Sequence, residues 1–502
     1  MNWKLIGRGL RNSEMRSKVI AVLGMLLVYR LLAHIPIPLA EPAELKQILD
    51  NLLSDDSTPQ LLSFINVLSG GALASLSIML VGLGPYINAS IIMQVLTKAI
   101  PKLEALQKEG EYGTKKINQY TRILTFPLAI IQSIGILYLV GQIAGQIGGL
   151  GNVVDNASLS QWVLMVAALT GGAMILMWLG ELVTEKGIGN GISLLITVGI
   201  VSQLPFIISA LFQAIVDDQA TMSIFGWFDL PINTRALVIS AILTAATVLL
   251  TVFVVYLNEA QRRIKITYAK KVQGNRAYSD VNTVLPVKLI TAGVVPIIFA
   301  VAFLSVPQLA GSLLEGNANP SLASLGETLV RWFQVPGTHG SGAVFVDIYS
   351  LIYPTVYFLL VVAFTFFYTG VVFNSKEISE SLQRQGGFIE GVRPGDDTRK
   401  YLSKVVNRLN FFGAASLGFL AITPILGQAF LGNSQLAIGG TSILILVAVS
   451  LETLRKVESK ALMVTYEDYE HDFNASRGET DKKADSKEKP KKSIKNFFTT
   501  KK

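Results

Sequence analysis

Ten stretches of this chain are as long as a helix needs to be to cross a bilayer, and almost free of charge. They run 19–39, 76–97, 120–140, 161–180, 188–210, 236–257, 286–306, 350–373, 404–424 and 436–454. Roughly 30 Å of hydrocarbon takes about 20 apolar residues in a helix, and inside it only a helix or a closed barrel satisfies its own backbone. The spans therefore predict an all-α polytopic membrane protein. Composition agrees, since 51% of residues are hydrophobic and 16% charged, where soluble chains carry about a quarter charged. The first stretch follows a basic start, as in a signal peptide. Its apolar run is too long for one and no small-x-small cleavage site follows, so it reads as a retained helix.

Short loops rich in Lys and Arg stay in the cytoplasm, which fixes the expected topology. The start carries Lys4, Arg8, Arg11, Arg16 and Lys18, and the 2/3 loop carries Lys98, Lys102, Lys108, Lys115, Lys116 and Arg122. The 6/7 loop adds Arg262, Arg263, Lys265, Lys270, Lys271, Arg276 and Lys288, and the 8/9 region Lys376, Arg384, Arg393, Arg399, Lys400, Lys404 and Arg408. Loops on the other side hold only Lys46, Arg235 and Arg331. The alternation places both termini in the cytoplasm. Sorted this way, the net charge of +8 conceals a dipole: 39 Lys and Arg against 23 Asp and Glu inside, and 3 against 12 outside.

Two connections are more than loops. In the connection between spans 1 and 2, residues 61–75 (LLSFINVLSGGALAS) are apolar and Gly-rich but too short to cross, as expected of a re-entrant piece. In the 6/7 loop, RRIKITYAKKV at 262–272 puts Ile264, Ile266 and Tyr268 on one face. That period of two predicts a β-ribbon projecting into the cytoplasm. The 8/9 loop holds QGGFIEGVRPG at 385–395, where Gly and Pro enforce turns around Arg393. The resulting organisation is a cytoplasmic start (1–18), a first half (19–210), an external connection (211–235) and a second half (236–454) with cytoplasmic loops at 258–285 and 374–403. A tail (455–502), disordered after about 470, ends the chain.

The chain has no Cys and three His, which excludes disulfides, thiolate nucleophiles and Cys-bound zinc. It has no GxxxxGK[ST], HExxH or GxSxG motif, so it reads as no enzyme, needs no cofactor, and any ATP-driven work belongs to a partner. Inside the spans, only Arg30 is ionisable well away from the ends. It lies about two turns from the outer end, where snorkelling or capping of helix carbonyls accounts for it. Spans 2, 5, 7 and 10 instead mix small, polar and β-branched residues: GLGPYINASIIMQ at 82–94, in which Pro85 should distort the helix; GIGNGISLLI at 187–196; GGTSILIL at 439–446. Small residues of this kind also pack transmembrane helices in any family, and both readings stand on composition alone.

Longer strings carry a resemblance. GPYINASIIMQVL (84–96), EGEYGTKKINQYTR (109–122), MWLGELVTEKGIGNGISLLI (177–196), AQRRIKITYAKKV (260–272), LPVKLITAGVVPIIFA (285–300), FNSKEISESLQRQGGFIEGVRPG (373–395) and IGGTSILILVAVSLETL (438–454) closely resemble the SecY/Sec61-alpha family, in order, to about residue 466. The resemblance implies ten transmembrane helices in two inverted five-helix halves, forming a clamshell around a central pore with a short plug helix and a lateral gate, and a place in a plasma membrane. The plug falls on 61–75, with Leu61, Phe64, Ile65, Leu68, Gly70 and Gly71. The pore ring falls on Leu83, Ile87, Ile192, Ile196, Ile298 and Ile445. The gate opens between spans 2 and 7, with Asn88, Ile91, Ile92, Gln94, Ile290 and Thr291 on its face.

Where the family usually has Asn in span 7, this chain has Ile290. The lost amide contact is of about 0.6 kcal/mol, up to 1–2 in membranes, and Asn88 beside Thr291 is the expected compensation. Arg262, Arg263, Lys270, Lys271 and Arg393 match the family's contacts with a ribosome or the SecA motor ATPase. The implied partners are the small membrane subunits SecE and SecG, SecA, a translating ribosome touched through its RNA, preproteins with signal sequences, and a bilayer containing anionic lipids. The rival readings are a small-solute secondary transporter, which needs a midplane ligand site, and an intramembrane hydrolase, which needs a catalytic constellation the spans do not offer.

Overall fold

The computed structural model of the chain describes residues 7, 11–37, 72, 76–146, 158–187, 189–216, 222–224, 228–230, 234–268, 272–273, 276–277, 282–315, 319–333, 348–431 and 445–463. The plug residues Leu61, Phe64, Ile65, Leu68, Gly70 and Gly71, the lysines Lys270 and Lys271, and the tail beyond 463 lie outside the described residues. The described part is mostly helical. Five of its helices are long and apolar enough to cross a membrane: Glu111–Tyr138, Leu159–Glu185, Leu237–Glu259, Leu351–Arg384 and Asp396–Thr423. Gly191–Pro205 and Val295–Gly311 are shorter apolar helices.

In chain order the helices are α1 (Ser13–Leu32), α2 (Gly84–Ala99), α3 (Pro101–Lys108), α4 (Glu111–Gln146), α5 (Leu159–Glu185), α6 (Gly191–Ile215) and α7 (Thr234–Glu259), followed by α8 (Val295–Glu315), α9 (Pro320–Phe333), α10 (Ile348–Val372), α11 (Ser375–Arg384), α12 (Asp396–Leu431) and α13 (residues 445–463). Side chains start several of them. Asn12 accepts from the Glu14 amide at 2.9 Å, Asn190 from the Ile192 amide at 3.1 Å and Asn374 from the Lys376 amide at 3.2 Å. Ser158 and Gln161 form a reciprocal box at the start of α5. Each satisfies an amide that the first turn leaves without a partner.

Several boundaries differ from those expected. The first span was expected to reach 39 but stops at Leu32, because Pro36 and Pro38 cannot continue a helix. Residues 35–37 instead pair with 76–78, through Ile37 N to Leu76 O at 2.9 Å and Ile78 N to Ile35 O at 3.0 Å. The second span consequently begins as turns over 76–83 and becomes helical at Gly84. Pro85 was expected to distort that helix. It sits in the first turn, where its missing N–H is no loss and its fixed φ helps the helix begin. The seventh span was expected from 286, but residues to Lys288 belong to a strand and its helix starts at Val295. The tenth was expected to end at 454, and α13 runs on to 463, aided by the Glu452–Lys456 pair at 2.7 Å and i,i+4 spacing.

Three helices were not anticipated. α3 follows α2 directly, α9 lies in the connection expected to be an external loop, and α11 lies in the 8/9 loop. α9 packs along α8, and a Cβ on Gly311 would stand 3.0 Å from the Gly326 carbonyl oxygen and 3.0 Å from the Leu329 Cβ.

The expected ribbon is present as β3 (Gln261–Tyr268) paired antiparallel with β6 (Asn282–Lys288), with β4 (Val272–Gln273) and β5 (Arg276–Ala277) paired beyond it. β1 (Met222–Ile224) and β2 (Phe228–Leu230) form a separate hairpin. A third strand, β7 (Gly387–Ile389), joins β3 from the 8/9 loop, giving the order β6-β3-β7. Pro286 is tolerated because β6 is an edge strand. Ile264, Ile266 and Val287 are buried against Leu382 of α11, Ile389, and Leu402, Val405 and Val406 of α12. The 6/7 and 8/9 loops thus share one core.

Close approach at glycine sets the α5–α6 contact. A Cβ on Gly191 would fall 1.9 Å from the Gly180 carbonyl oxygen, whereas one on Gly171, in the middle of α5, meets nothing within 4 Å. Gly191→Ala should therefore lower thermal stability in detergent, by about 1–3 kcal/mol for overpacking. Gly171→Ala should leave it unchanged or raise it by up to about 1 kcal/mol, and equal melting points for the two variants would contradict this packing.

Candidate functional site

The turn between α5 and α6 is built by its own side chains. Gly187, at φ +72°, closes α5 and Asn190 opens α6. Thr184 donates to the Gly180 carbonyl at 2.8 Å and accepts from the Gly191 amide at 2.9 Å. This fixes the first turns of α6 and with them Ile192 and Ile196. The Pro85 start of α2 likewise fixes Leu83 and Ile87, while Ile298 lies in the first turn of α8 and Ile445 opens the described part of α13. All six side chains meet in one hydrophobic cluster. Leu83, Ile87, Ile196, Ile298 and Ile445 are buried in it and Ile192 packs against it half-buried. Ala72, within the segment 61–75 expected as the plug, is fully buried in the same cluster. Ser193 and Thr197 are buried nearby, and the Thr197 hydroxyl is returned to the Ser193 carbonyl at 2.8 Å. The six side chains therefore present methyl groups, and the wider cluster around them also holds Tyr29, Tyr353, Tyr357 and Phe299.

α2 packs against α8 and α4, and α8 against α4 and α10. The residues expected on the gate do not share one face. Ile91 and Ile290 are buried in the central cluster, while Ile92, about 100° further round the helix, is 39% exposed. Asn88 and Gln94 are half-buried. The Gln94 amide nitrogen donates to the Ser90 hydroxyl at 3.1 Å, and its buried carbonyl oxygen has no partner. Ile290 and Thr291 lie in the bend between β6 and α8, not on a helix. The Thr291 hydroxyl donates to the Lys288 carbonyl at 3.1 Å. Ile290 instead sits beside Gly413 of α12.

Arg262 and Arg263 are exposed at the start of β3. Arg393 is exposed on a turn pinned at several points: Thr398 donates to the Arg393 carbonyl at 2.8 Å, Ser379 to the Gly395 carbonyl at 2.6 Å, and the Val392 amide to the Ile389 carbonyl at 3.0 Å. Its guanidinium has no ion pair among the described residues, so a rigid backbone offers a free, planar, bidentate donor.

Two arrangements escaped the sequence. Arg122, expected in a basic loop, lies within α4 and holds Glu181 of α5, Nε donating to Oε1 at 2.8 Å and a terminal nitrogen making an ion contact with Oε2 at 2.7 Å. α13 ties both parts of the chain together: Arg455 pairs with Glu259 at the end of α7, and Lys460 Nζ donates to the carbonyls of Lys186 and Gly187 at 3.3 Å each. Val457 packs with Val22 of α1 and Val183 of α5.

Comparison with known proteins followed the same lines. The SecY family model matches residues 77–454. The chain is 36% identical over 465 residues to the protein translocase subunit SecY of Streptomyces scabiei, covering 92% of this chain and 98% of that one. It is 36% identical over 464 residues to the same subunit of Mycobacterium tuberculosis H37Rv, with 92% and 98% covered. Among solved structures, a protein-conducting channel aligns with a TM-score of 0.54 at 18% identity, covering 88% of this chain and 92% of that one. Sec61 in a canine ribosome-channel complex from the endoplasmic reticulum aligns with a TM-score of 0.51 at 18% identity, over 88% and 92%.

The Arg122–Glu181 pair is testable by itself. Arg122→Gln should lower thermal stability by about 1 kcal/mol, the modest size reflecting a half-exposed guanidinium. Arg122→Lys should lose nearly as much, because an ammonium cannot place a donor at the Nε position while also contacting the second carboxylate oxygen. Full retention of stability in the lysine variant would show that charge alone suffices.

Proposed function

The chain belongs to the SecY family, and from that membership we infer that it is the central subunit of a protein-conducting channel. Unfolded preproteins pass across the membrane through its pore, and signal sequences and membrane helices leave sideways into lipid. Ten transmembrane helices in two inverted halves, with both termini cytoplasmic in a plasma membrane, form the clamshell. Residues 61–75 serve as the plug. A partner motor ATPase or a translating ribosome supplies the work, and small membrane subunits of the SecE and SecG kind complete the complex.

The observation that carries this reading is that the aliphatic side chains Leu83, Ile87, Ile192, Ile196, Ile298 and Ile445, from four separate segments, belong to one hydrophobic cluster. A gasket must conform to any passing side chain without binding it, and must exclude ions when idle. Aliphatic side chains do both: a narrow apolar constriction dewets, and an ion entering it loses hydration without compensation. A hydrogen-bonding or charged ring would select its substrates. The contact between α2 and α8 supports a lateral exit there, lined by Asn88, Ile91, Ile92, Gln94, Ile290 and Thr291. The Ile290 side chain, seated on α12, leaves Asn88 without the polar contact that the family's usual Asn would give. The shared sheet of the 6/7 and 8/9 loops supports a single docking face, with Arg262, Arg263, Lys270, Lys271 and Arg393 meeting ribosomal RNA or the motor. Sec61 in the canine complex sits on a ribosome.

Ile87→Asn or Ile445→Asn should raise the idle ion conductance of the reconstituted complex in planar bilayers and relax its discrimination among signal sequences. Unchanged conductance and stringency would refute the gasket. Arg393→Glu should abolish motor-driven translocation into vesicles while the variant still inserts and assembles. Wild-type translocation by this variant would remove Arg393 from the docking face.

A further inference from the structure

Just past the end of α5 the backbone leaves a space that a distant side chain fills. Gly187 has φ +72°, and a Cβ on it would stand 2.6 Å from Nζ of Lys460 on α13. The ammonium instead donates to the carbonyl oxygens of both Lys186 and Gly187, at 3.3 Å each. Carbonyls at a helix C-terminus carry the negative pole of its dipole, so a cation there is held by charge as well as by hydrogen bonds.

This tie crosses from one half of the chain to the other. Arg455, which pairs with Glu259 at the end of α7, holds α13 to the second half. Lys460 lies five residues further on, about 140° round the helix, and reaches the first half. Neighbouring contacts of α13 with the first half are of another kind: Val457 packs with Val22, Val183 and Leu194, and a Cβ on Gly189 would meet Thr453 Oγ1 at an ordinary 3.5 Å. Such contacts resist separation but permit sliding along the axis, whereas two hydrogen bonds to fixed carbonyls do not.

Axial position is what an aliphatic seal needs fixed. Ile445 stands 15 residues from Lys460 on the same helix, about 22 Å along the axis, while Ile192 follows Gly187 by five residues through the turn that Thr184 and Asn190 hold. A slip of one residue's rise, about 1.5 Å, exceeds the 0.5–1 Å gap that already forfeits about a quarter to a half of a dispersion contact.

We propose that Lys460 is a positioning residue for the seal: by capping α5 it fixes the height of α13 on the α5–α6 turn, and with it the height of Ile445 against Ile192 and Ile196. This role rests on the reading of those side chains as a gasket.

The test measures idle ion conductance of the reconstituted complex in planar bilayers. Lys460→Met should raise it about two- to fivefold, the range that losing one cation at a helix C-terminus brings. Lys460→Arg, which still donates to both carbonyls, should keep the parent's level. So should Lys456→Met, since that cation pairs with Glu452 of its own helix. Because the chain has no Cys, a Gly189→Cys/Thr453→Cys pair can tie α13 to the turn by a single disulfide. Oxidation of that pair in the Lys460→Met chain should return conductance to the parent's level, and reduction should raise it again. A merely stabilising lysine, or one that attracts an outside anion, would not be replaced by a tether. Parent-level conductance in Lys460→Met, a rise that the disulfide does not reverse, or failure of the cysteine pair to join would overturn the proposal. Ile445→Asn measured alongside separates the two readings: a rise there with none in Lys460→Met removes Lys460 and leaves the gasket, and no rise in either removes both.

Discussion

Inside a bilayer, apolar side chains gain nothing by leaving lipid for one another, so helices hold together through close packing and the few polar contacts they can make. Every other feature of this molecule depends on that constraint. Where α5 and α6 meet, the Gly180 carbonyl lies where a Cβ on Gly191 would be, and Thr184 bonds to both strands of the turn. On α4, Ser133 and Thr170 of α5 approach to 3.4 Å, each buried, and between α10 and α12 Thr369 donates to Asn410 at 2.8 Å. These contacts hold the walls. The apolar cluster at the centre is thereby free to be weakly cohesive, as the proposed seal would require.

The two parts of the chain are joined at places of different character. At the centre α2 contacts α8, and Ile87 and Ile91 of α2 share the common cluster with Ile297 and Ile298 of α8. At the charged end of α13 the ties are polar and specific: Arg455 to Glu259 on one side, Lys460 to the α5–α6 turn on the other. Non-directional contact can slide and part, whereas paired hydrogen bonds resist displacement. The clamshell proposed above, opening at α2–α8 while hinged elsewhere, would need that difference; the three-stranded sheet joins the two loops by drawing β7 from the 8/9 loop onto β3.

Much of this was legible in residue patterns. The alternation of Ile264 and Ile266 marked β3, and long uncharged runs marked α5, α7 and α10, because local periodicity reports burial directly. The start of the second helix is not evident in the sequence, because a proline inside a long apolar run suggests a distortion there, whereas Pro85 is suited to a first turn. The amphipathic spacing of Leu322, Leu325 and Leu329 was available to reveal α9 but lay in a region read as loop. Other features leave no local trace. Arg122 and Glu181 are 59 residues apart, and Lys460 and Gly187 are 273 apart, so only the folded chain pairs them. The six residues of the aliphatic cluster were identified through family resemblance. Composition alone could not separate them from ordinary packing residues, because a seal and a helix interface use the same side chains.

The most direct test of the pore is to trap a preprotein midway through the reconstituted complex and map its neighbours with photocrosslinking residues placed singly in the chain. Crosslinks from positions 87, 192, 298 and 445, and none from position 253 on the exposed face of α7, are expected if the aliphatic cluster surrounds the translocating polypeptide. Crosslinks confined to position 253, or none from the cluster while translocation proceeds, would contradict it.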